Sequence, residues 1–236
     1  MIGSPRVHHR LTDSTNQRAK ELADAGAPHG TVVTADEQTA GRGRQGRSWV
    51  APPRSAVLMS VVLRELDESA ALLPLATAVA VCEAAESVAP VECAIKWPND
   101  VWVEGRKLCG ILVEGRPAAG WAVVGIGVNV TTEQFPPELH ATSLRLAGGS
   151  ASVDDAVEAL LATLERWLSS PPAAVLAAWR ARDALLGRNI GWGEGEGVAA
   201  GIDERGNLLV DTPTGRQALG AGEVHLDVDW ERSRGL

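Results

Sequence analysis

Tyrosine is absent from this 236-residue sequence, phenylalanine occurs once, and cysteine occurs only three times. Cys82, Cys93 and Cys109 are an odd set with no CxxC pair. That pattern argues against a disulfide framework or a thiolate zinc site, and fits reduced thiols packed as small hydrophobes in a cytosolic protein. The five histidines include no HExxH or comparable ligand spacing, so they read as structural or solvated. No run approaches the ~18 apolar residues of a membrane span, and the N-terminus lacks the charged start and apolar stretch of a signal peptide. The longest apolar-rich segment, Ala70 to Ala89, carries Pro74, Glu83 and Glu86 and reads as a buried Ala-rich helix. An excess of base is also missing: the net charge is -8 and the pI about 5.2, which excludes broad affinity for nucleic acid phosphates. Any anion site must therefore be a local concentration of base. Eight tryptophans stand in place of the missing tyrosines, a bias with no evident physical reason.

A hydrophobic content of 45% over this length allows one substantial domain and a small appendage. N-cap residues cluster between Asp13 and Asn16, Ala19, Leu22 and Ala23 follow at helical spacing, and Gly26 stands where a C-cap belongs, so a short first helix is expected. Strands are expected at Thr31 to Ala35, Ala56 to Leu63, Val91 to Ile95, Val101 to Val103, Leu108 to Val113 and Ala122 to Val130. Glu104, Gly105 and Arg106 between two apolar segments are hairpin chemistry, implying antiparallel pairing. Val157, Leu160, Leu161, Leu164 and Leu168 share one face of a helix from Asp154 to Leu168, and a second amphipathic helix is expected from Ala173 to Leu186. Beyond it the chain is rich in glycine, with short strand candidates at Asn207 to Asp211 and Gly222 to Val228. The division is thus residues 1–186 and a small β-barrel-like appendage at 187–236, with an α+β main domain in place of a regular βαβ series.

The segment EQTAGRGRQGRSW, Glu37 to Trp49, alternates Gly41, Gly43 and Gly46 with Arg42, Arg44 and Arg47. Its glycines satisfy GxGxxG, but a helix opening on three arginines would oppose its own dipole, and Pro52 and Pro53 block an apolar continuation. A mobile glycine loop bearing guanidiniums suits a polyphosphate, because Arg forks make charge-assisted bidentate bonds to phosphate oxygens. A solvated loop and an RNA-binding segment are the alternatives. In KWPND, Lys96 to Asp100, Pro98 forces Trp97 toward extended backbone and displays Asn99 and Asp100 at a turn, which is either a functional presentation or a tolerant polar turn. Lys107 enters the apolar run KLCGILVE, either snorkelling to solvent or meeting an anion. In GIGVNV, Gly125 to Val130, the Asn129 amide either reads an adenine edge or satisfies a neighbouring backbone.

The order DSTN, QTAGRGRQGRSW, KWPND, KLCGILVE, GIGVNV resembles the catalytic domain of bacterial biotin protein ligases, over roughly Val7 to Leu186. The glycine-rich tail looks like that family's C-terminal SH3-like domain. The resemblance implies a mixed sheet with flanking helices, related to the core of class II aminoacyl-tRNA synthetases. It also implies an activity: biotin and ATP give biotinyl-5'-AMP and pyrophosphate, with Mg2+, and biotin then passes to a lysine of a biotin carboxyl carrier protein, the biotin-accepting domain of an acyl-CoA carboxylase.

By the same resemblance Ser14, Thr15 and Asn16, with Gln38, hydrogen-bond the ureido ring of biotin, and Trp49 and Gly110 wall the ligand. Arg42, Gly43 and Arg44 close over biotin and the adenylate. Arg47 faces the triphosphate, Lys107 contacts the biotin carboxylate and α-phosphate, and Asn99 and Asn129 serve the nucleotide. Asp100 either helps deprotonate the acceptor lysine or orients magnesium. Gln45 departs from relatives that carry a third consecutive base there. The motifs begin near Asp13, leaving no room for the N-terminal winged helix of relatives that repress transcription. The expectation is therefore a cytoplasmic ligase, monomeric or weakly dimeric, with neither DNA nor membrane as partner. Lipoate protein ligase is the nearest rival, but its Arg-Arg-x-Ser-Gly-Gly-Gly segment is missing; a non-catalytic nucleotide or RNA binder is the rival from another class.

Overall fold

The computed structural model describes residues 1–116, 119–193, 195–220 and 222–226. In the main domain the elements run β1 (Arg6–His9), α1 (Thr15–Asp24), β2 (Val32–Ala35), β3 (Ala56–Arg64), α2 (Leu73–Val88), β4 (Cys93–Lys96), β5 (Asp100–Val103), β6 (Arg106–Arg116), β7 (Trp121–Asn129), α3 (Val153–Leu168) and α4 (Pro172–Arg180). The seven strands form one sheet in the order β1-β2-β3-β7-β6-β5-β4. Only the β1–β2 pair is parallel, so the sheet is mixed, as expected.

Alternation along the strands separates the two faces. On one face Val57, Met59 and Val61 of β3, Cys109 and Ile111 of β6, and Ile126 and Val128 of β7 join the main core with α2 and α3. The stretch Ser69–Val88 is long and apolar enough to cross a membrane by composition, but it is mostly buried here, as the Ala-rich core helix that the sequence suggested. On the other face α1 covers only one end of the sheet, packing Ala19 and Ala23 on Val33, Val62, Trp121 and Val123. Further along that face Gly125, Gly127 and Asn129 of β7 and Gly110 of β6 carry small or polar side chains, and the sheet is left open there. All three cysteines are free and buried.

The first helix begins at Thr15 with Ser14 at its N-cap, and Gly26 beyond its end adopts φ +88°. Between β5 and β6 the turn consists of Glu104 and Gly105, both at positive φ, and Arg106 already pairs with Val103. Asp100 is not part of a turn: it opens β5 opposite Lys96, leaving Trp97, Pro98 and Asn99 as the connection. The helix expected at Ala173 to Leu186 ends at Arg180. Residues beyond it pair instead with the edge of β4, where Ile95 N donates to Arg182 O and Ala184 N to Ile95 O. Satisfying a strand's open edge outweighs one more turn of helix. The short strand Arg6–His9 carries alternating exposed and half-buried residues with no apolar run, and the sequence reading missed it.

The C-terminal module is a five-stranded antiparallel sheet of β8 (Asn189–Trp192), β9 (Gly195–Ile202), β10 (Leu208–Thr212), β11 (Gly215–Leu219) and β12 (His225–Leu226), in the order β11-β10-β9-β8-β12. No pairing joins β11 to β12 among the described residues, an open arrangement compatible with the SH3-like module expected. Of the expected strand Gly222 to Val228, only His225 and Leu226 are strand among the described residues, and Asp227 and Val228 lie outside them. The module touches the main domain through Trp97, whose buried indole Nε1 donates to Gly206 O at 3.0 Å.

Candidate active site

The open part of the sheet is the floor of a cavity of about 590 Å³, and every site residue singled out from the sequence lines it. Its depth comes from missing side chains. Gly110 and Gly127 face each other across β6 and β7, and a Cβ on Gly127 would lie 2.4 Å from Cε2 of Trp49. One on Gly110 would lie 3.0 Å from Trp49 Cζ3, so the indole rests directly on the two glycines. Trp49 Nε1 is buried without a hydrogen-bond partner among the described residues, a donor that a bound polar ligand can satisfy.

At one end the groups are polar and uncharged. Ser14 occupies the N-cap of α1 but makes no side-chain capping bond, which leaves its hydroxyl for the cavity it lines. Gln38 Oε1 accepts from Thr15 N at 2.7 Å and from Thr15 Oγ1 at 3.1 Å. Ser60 Oγ, fully buried on β3, lies 2.8 Å from Thr15 Oγ1 and 2.6 Å from Asn16 Oδ1. Beside the Trp49 wall, such a cluster suits an uncharged ring with its own donors and acceptors.

At the other end the groups are cationic. Six Lys and Arg side chains line the cavity (Arg42, Arg44, Arg47, Lys96, Lys107 and Arg188) against three acids (Asp100, Glu138 and Glu223). This is the local excess of base that a chain of charge -8 must build to hold an anion. Lys107 Nζ lies 2.7 Å from Asp100 Oδ1 and 5.9 Å from the Trp49 ring centroid, between the neutral and cationic ends. Lys96 Nζ stands 5.2 Å over the Trp102 ring. Burial lowers the Lys96 ammonium pKa, the charges of Asp100 and Glu223 raise it, Lys107 and Arg47 lower it again, and the net is a decrease.

The arginine segment is a small hairpin. Gly43 N donates to Arg47 O, Trp49 N to Gly41 O, and a single 3-10 turn over Arg44–Gly46 puts Gln45 and Gly46 at positive φ. No helix follows, as the charge pattern implied. Arg44 donates to Asn99 Oδ1 and to Gly222 O, both at 2.9 Å, and Arg47 to Glu223 Oε1 at 2.6 Å. The C-terminal module thus holds two of the loop's guanidiniums. Asn99 in turn donates to Ile111 O at 2.8 Å, and Asn129, buried, donates to Thr142 O at 3.0 Å.

Among the described residues no group of three or more His, Cys, Asp or Glu could cage a metal ion. Mg2+ accompanying a nucleotide needs no such cage, because it keeps waters and phosphate oxygens and takes one or two carboxylates. Asp100 and Glu223 line the cavity and fit that requirement.

Sequence reasoning missed Lys96, Ser60, Gly125 and Gly127, and the contribution of Gly222 and Glu223. Glycines at i and i+2 in an otherwise β-branched strand were a legible sign of close approach on one face. Nothing local marks Glu223, which meets Arg47 across 176 positions of sequence.

The sequence matches the biotin/lipoate A/B protein ligase family over residues 8–130 and the biotin protein ligase C-terminal domain over residues 190–227. It is 35% identical to the bifunctional ligase/repressor BirA of Bacillus subtilis, with 96% of this chain and 75% of that protein covered. It is 36% identical to the biotin--[acetyl-CoA-carboxylase] ligase of Mycobacterium tuberculosis, over 91% of this chain and 86% of that one. The biotin protein ligase of Aquifex aeolicus in complex with biotin and ATP superposes with a TM-score of 0.82 at 29% identity, covering 94% of this chain and 98% of the other. The chain belongs to the biotin/lipoate A/B protein ligase family and, within it, to the biotin protein ligases.

Proposed function

We propose that the chain condenses biotin with ATP to biotinyl-5'-AMP and pyrophosphate, and then transfers biotin to a lysine of a biotin carboxyl carrier protein. The observation that carries this reading is one cavity with a neutral recognition end at Ser14, Thr15, Asn16 and Gln38, a cationic end at the arginine hairpin, and Lys107 between them. Biotin has the same division, an uncharged ureido ring and a carboxylate tail. Lying with its ring among the neutral groups and its chain along Trp49, it presents the carboxylate to Lys107. That ammonium lowers the repulsion between carboxylate and α-phosphate and balances the charge that grows as phosphorus becomes five-coordinate. Arg42, Arg44 and Arg47 suit the phosphates, and the closed hairpin keeps water from the mixed anhydride.

In the second step the acceptor amine attacks the biotinyl carbonyl, the carbonyl–phosphate bond breaks and AMP leaves. Asp100, already paired with Lys107, is placed to take the amine proton or to hold Mg2+ entering with ATP. Asn129, with its amide nitrogen engaged by Thr142 O, offers its oxygen to the exocyclic amine of adenine. The three buried free thiols support a reducing, cytoplasmic setting, and the net charge of -8 supports a ligase without operator binding; a monomer or weak dimer is part of the same proposal.

Pyrophosphate release tests the first step: it is expected only when both biotin and ATP are present, and lipoate is expected not to replace biotin. Release without biotin, or with lipoate alone, would overturn the reading. Biotin appearing on a purified carrier domain, detected with labelled streptavidin, tests the second step.

A further inference from the structure

Glu114 stands on β6, four residues past Gly110 and on the same face, and side chains from two other segments converge on it. Asn16 Nδ2 donates to its Oε2 at 2.9 Å, Lys20 Nζ lies 2.7 Å from Oε1, and the Arg42 guanidinium lies 4.0 Å from the same oxygen. Partial burial raises the Glu114 carboxyl pKa, but hydrogen bonds from Lys20 and Asn16 and the charges of Lys20 and Arg42 outweigh it and bring the net below the ordinary range. It is therefore an anion at neutral pH.

Each oxygen serves a different part of the site. The Asn16 amide has its oxygen at Ser60 and its nitrogen at Glu114, and it sits so close to β7 that a Cβ on Gly125 would be 2.1 Å from Asn16 Oδ1. Its orientation is fixed from both ends. Arg42 is where the hairpin leaves the body of the domain, closed at its base by the bridge to Ser48, and Glu114 is its ion-pair partner among the described residues. Arg44 and Arg47, by contrast, are held away from it by Asn99, Gly222 and Glu223. Of these side-chain anchors, the one at Glu114 is shared with the neutral recognition end through Asn16.

We propose that Glu114 is a positioning residue that orients the Asn16 amide through one carboxylate oxygen and anchors Arg42, and with it the arginine hairpin, through the other. The ligand roles of Asn16 and Arg42 rest on the function proposed above; the anchoring does not. Lys20 shares the Arg42 oxygen and competes for it, so it trims the anchor and does not supply it.

Trypsin cleavage tests the anchor without biotin or ATP, because Arg42, Arg44 and Arg47 are themselves cleavage sites. Glu114→Gln keeps an oxygen for Asn16 and loses the charge. Losing the half-exposed Arg42 pair, together with the Lys20 pair on the same oxygen, predicts cleavage within the hairpin about two- to fivefold faster than in wild type, with cleavage elsewhere unchanged and the melting temperature only slightly lowered. Arg42→Gln approaches the same link from its other end, with the Arg44 and Arg47 sites still readable. Adding Glu114→Gln to Arg42→Gln is expected to speed their cleavage no further. In the functional arm, Glu114→Gln is expected to release biotinyl-AMP faster by about the same factor with little change in KM for biotin, whereas Glu114→Ala raises both. Hairpin cleavage of Glu114→Gln at the wild-type rate, or additive effects in the double variant, would overturn the proposal. A wild type that forms no biotinyl-AMP would sink the ligase reading and leave the trypsin result to judge the anchor alone.

Discussion

Lys107 Nζ and Asp100 Oδ1 are 2.7 Å apart, across a register shift between β5 and β6, and the contact lacks the alignment of a hydrogen bond. Charge proximity without an aligned bond leaves the ammonium with donors to offer. The pair sits between the neutral and cationic ends of the cavity, where a carboxylate and a phosphate have to meet.

Lys107→Ala is expected to abolish useful biotinyl-AMP synthesis in a protein that stays folded. The charge-assisted bond to the reacting oxygens is worth ~1.5 to 3 kcal/mol, which alone slows the step about 10- to 100-fold. Pyrophosphate release is the measurement, with circular dichroism as the control for folding. Near wild-type release would remove Lys107 from the chemistry.

Gly127→Ala would put a methyl 2.4 Å from Trp49 Cε2, closer than any real contact, so the indole must move. Overpacking of this kind costs ~1 to 3 kcal/mol, and the expected result is a biotin dissociation constant raised about 5- to 100-fold. Calorimetric titration with biotin checks it; unchanged affinity would mean that the biotin chain does not lie along Trp49.

Arg44→Gly removes the contacts to Asn99 and Gly222 together and adds backbone freedom to a hairpin that already holds three glycines. Arg42, Arg47 and Lys107 still supply positive charge, so the adenylate is expected to form and then escape. Incubation with biotin, ATP, magnesium and serum albumin should label the albumin with biotin, as the wild type does not. Negligible labelling despite continued adenylate synthesis would refute a retention role for Arg44.

The cysteines are expected to be inert in the folded protein. Burial pushes the Cys109 thiol pKa far up, with Lys107 lowering it only in part, and Cys82, hydrogen-bonded to Cys93 and buried, is raised as well. The thiolate is the nucleophile, so iodoacetamide at pH 8 should modify none of the three until denaturant is added. Mass spectrometry reads the outcome, and labelling of native Cys109 would show that β6 opens.

Sequence-specific DNA binding is expected to be absent, since the net charge of -8 and the pI of about 5.2 oppose binding to the phosphate backbone. A salt-resistant gel shift with operator DNA, with or without biotin and ATP, would contradict this.

Periodicity and turn chemistry carried most of the main domain's elements. The heptad-like face of α3, the Glu104-Gly105 turn and the β-branched runs of β3 and β7 are local signals that the tertiary structure had no reason to override. The order of short motifs carried the family, because residues that touch one ligand recur in fixed succession however far the chain wanders between them. Sequence did not reveal where α4 stops. Its last turn was given up to close the edge of β4, a choice visible only once that edge has a neighbour.

The chain by itself determined that a basic glycine hairpin, a neutral DSTN segment and a lone lysine in an apolar strand would exist, since each depends on residues a few positions apart. Tertiary structure alone decided that they share one cavity. It also decided that Glu223, distant in sequence, holds Arg47, and that Glu114 joins Asn16 to Arg42. Local sequence fixes backbone preference, whereas the pairing of charges across distant segments is set by which strands lie side by side, and that is settled only by the packing of the whole sheet.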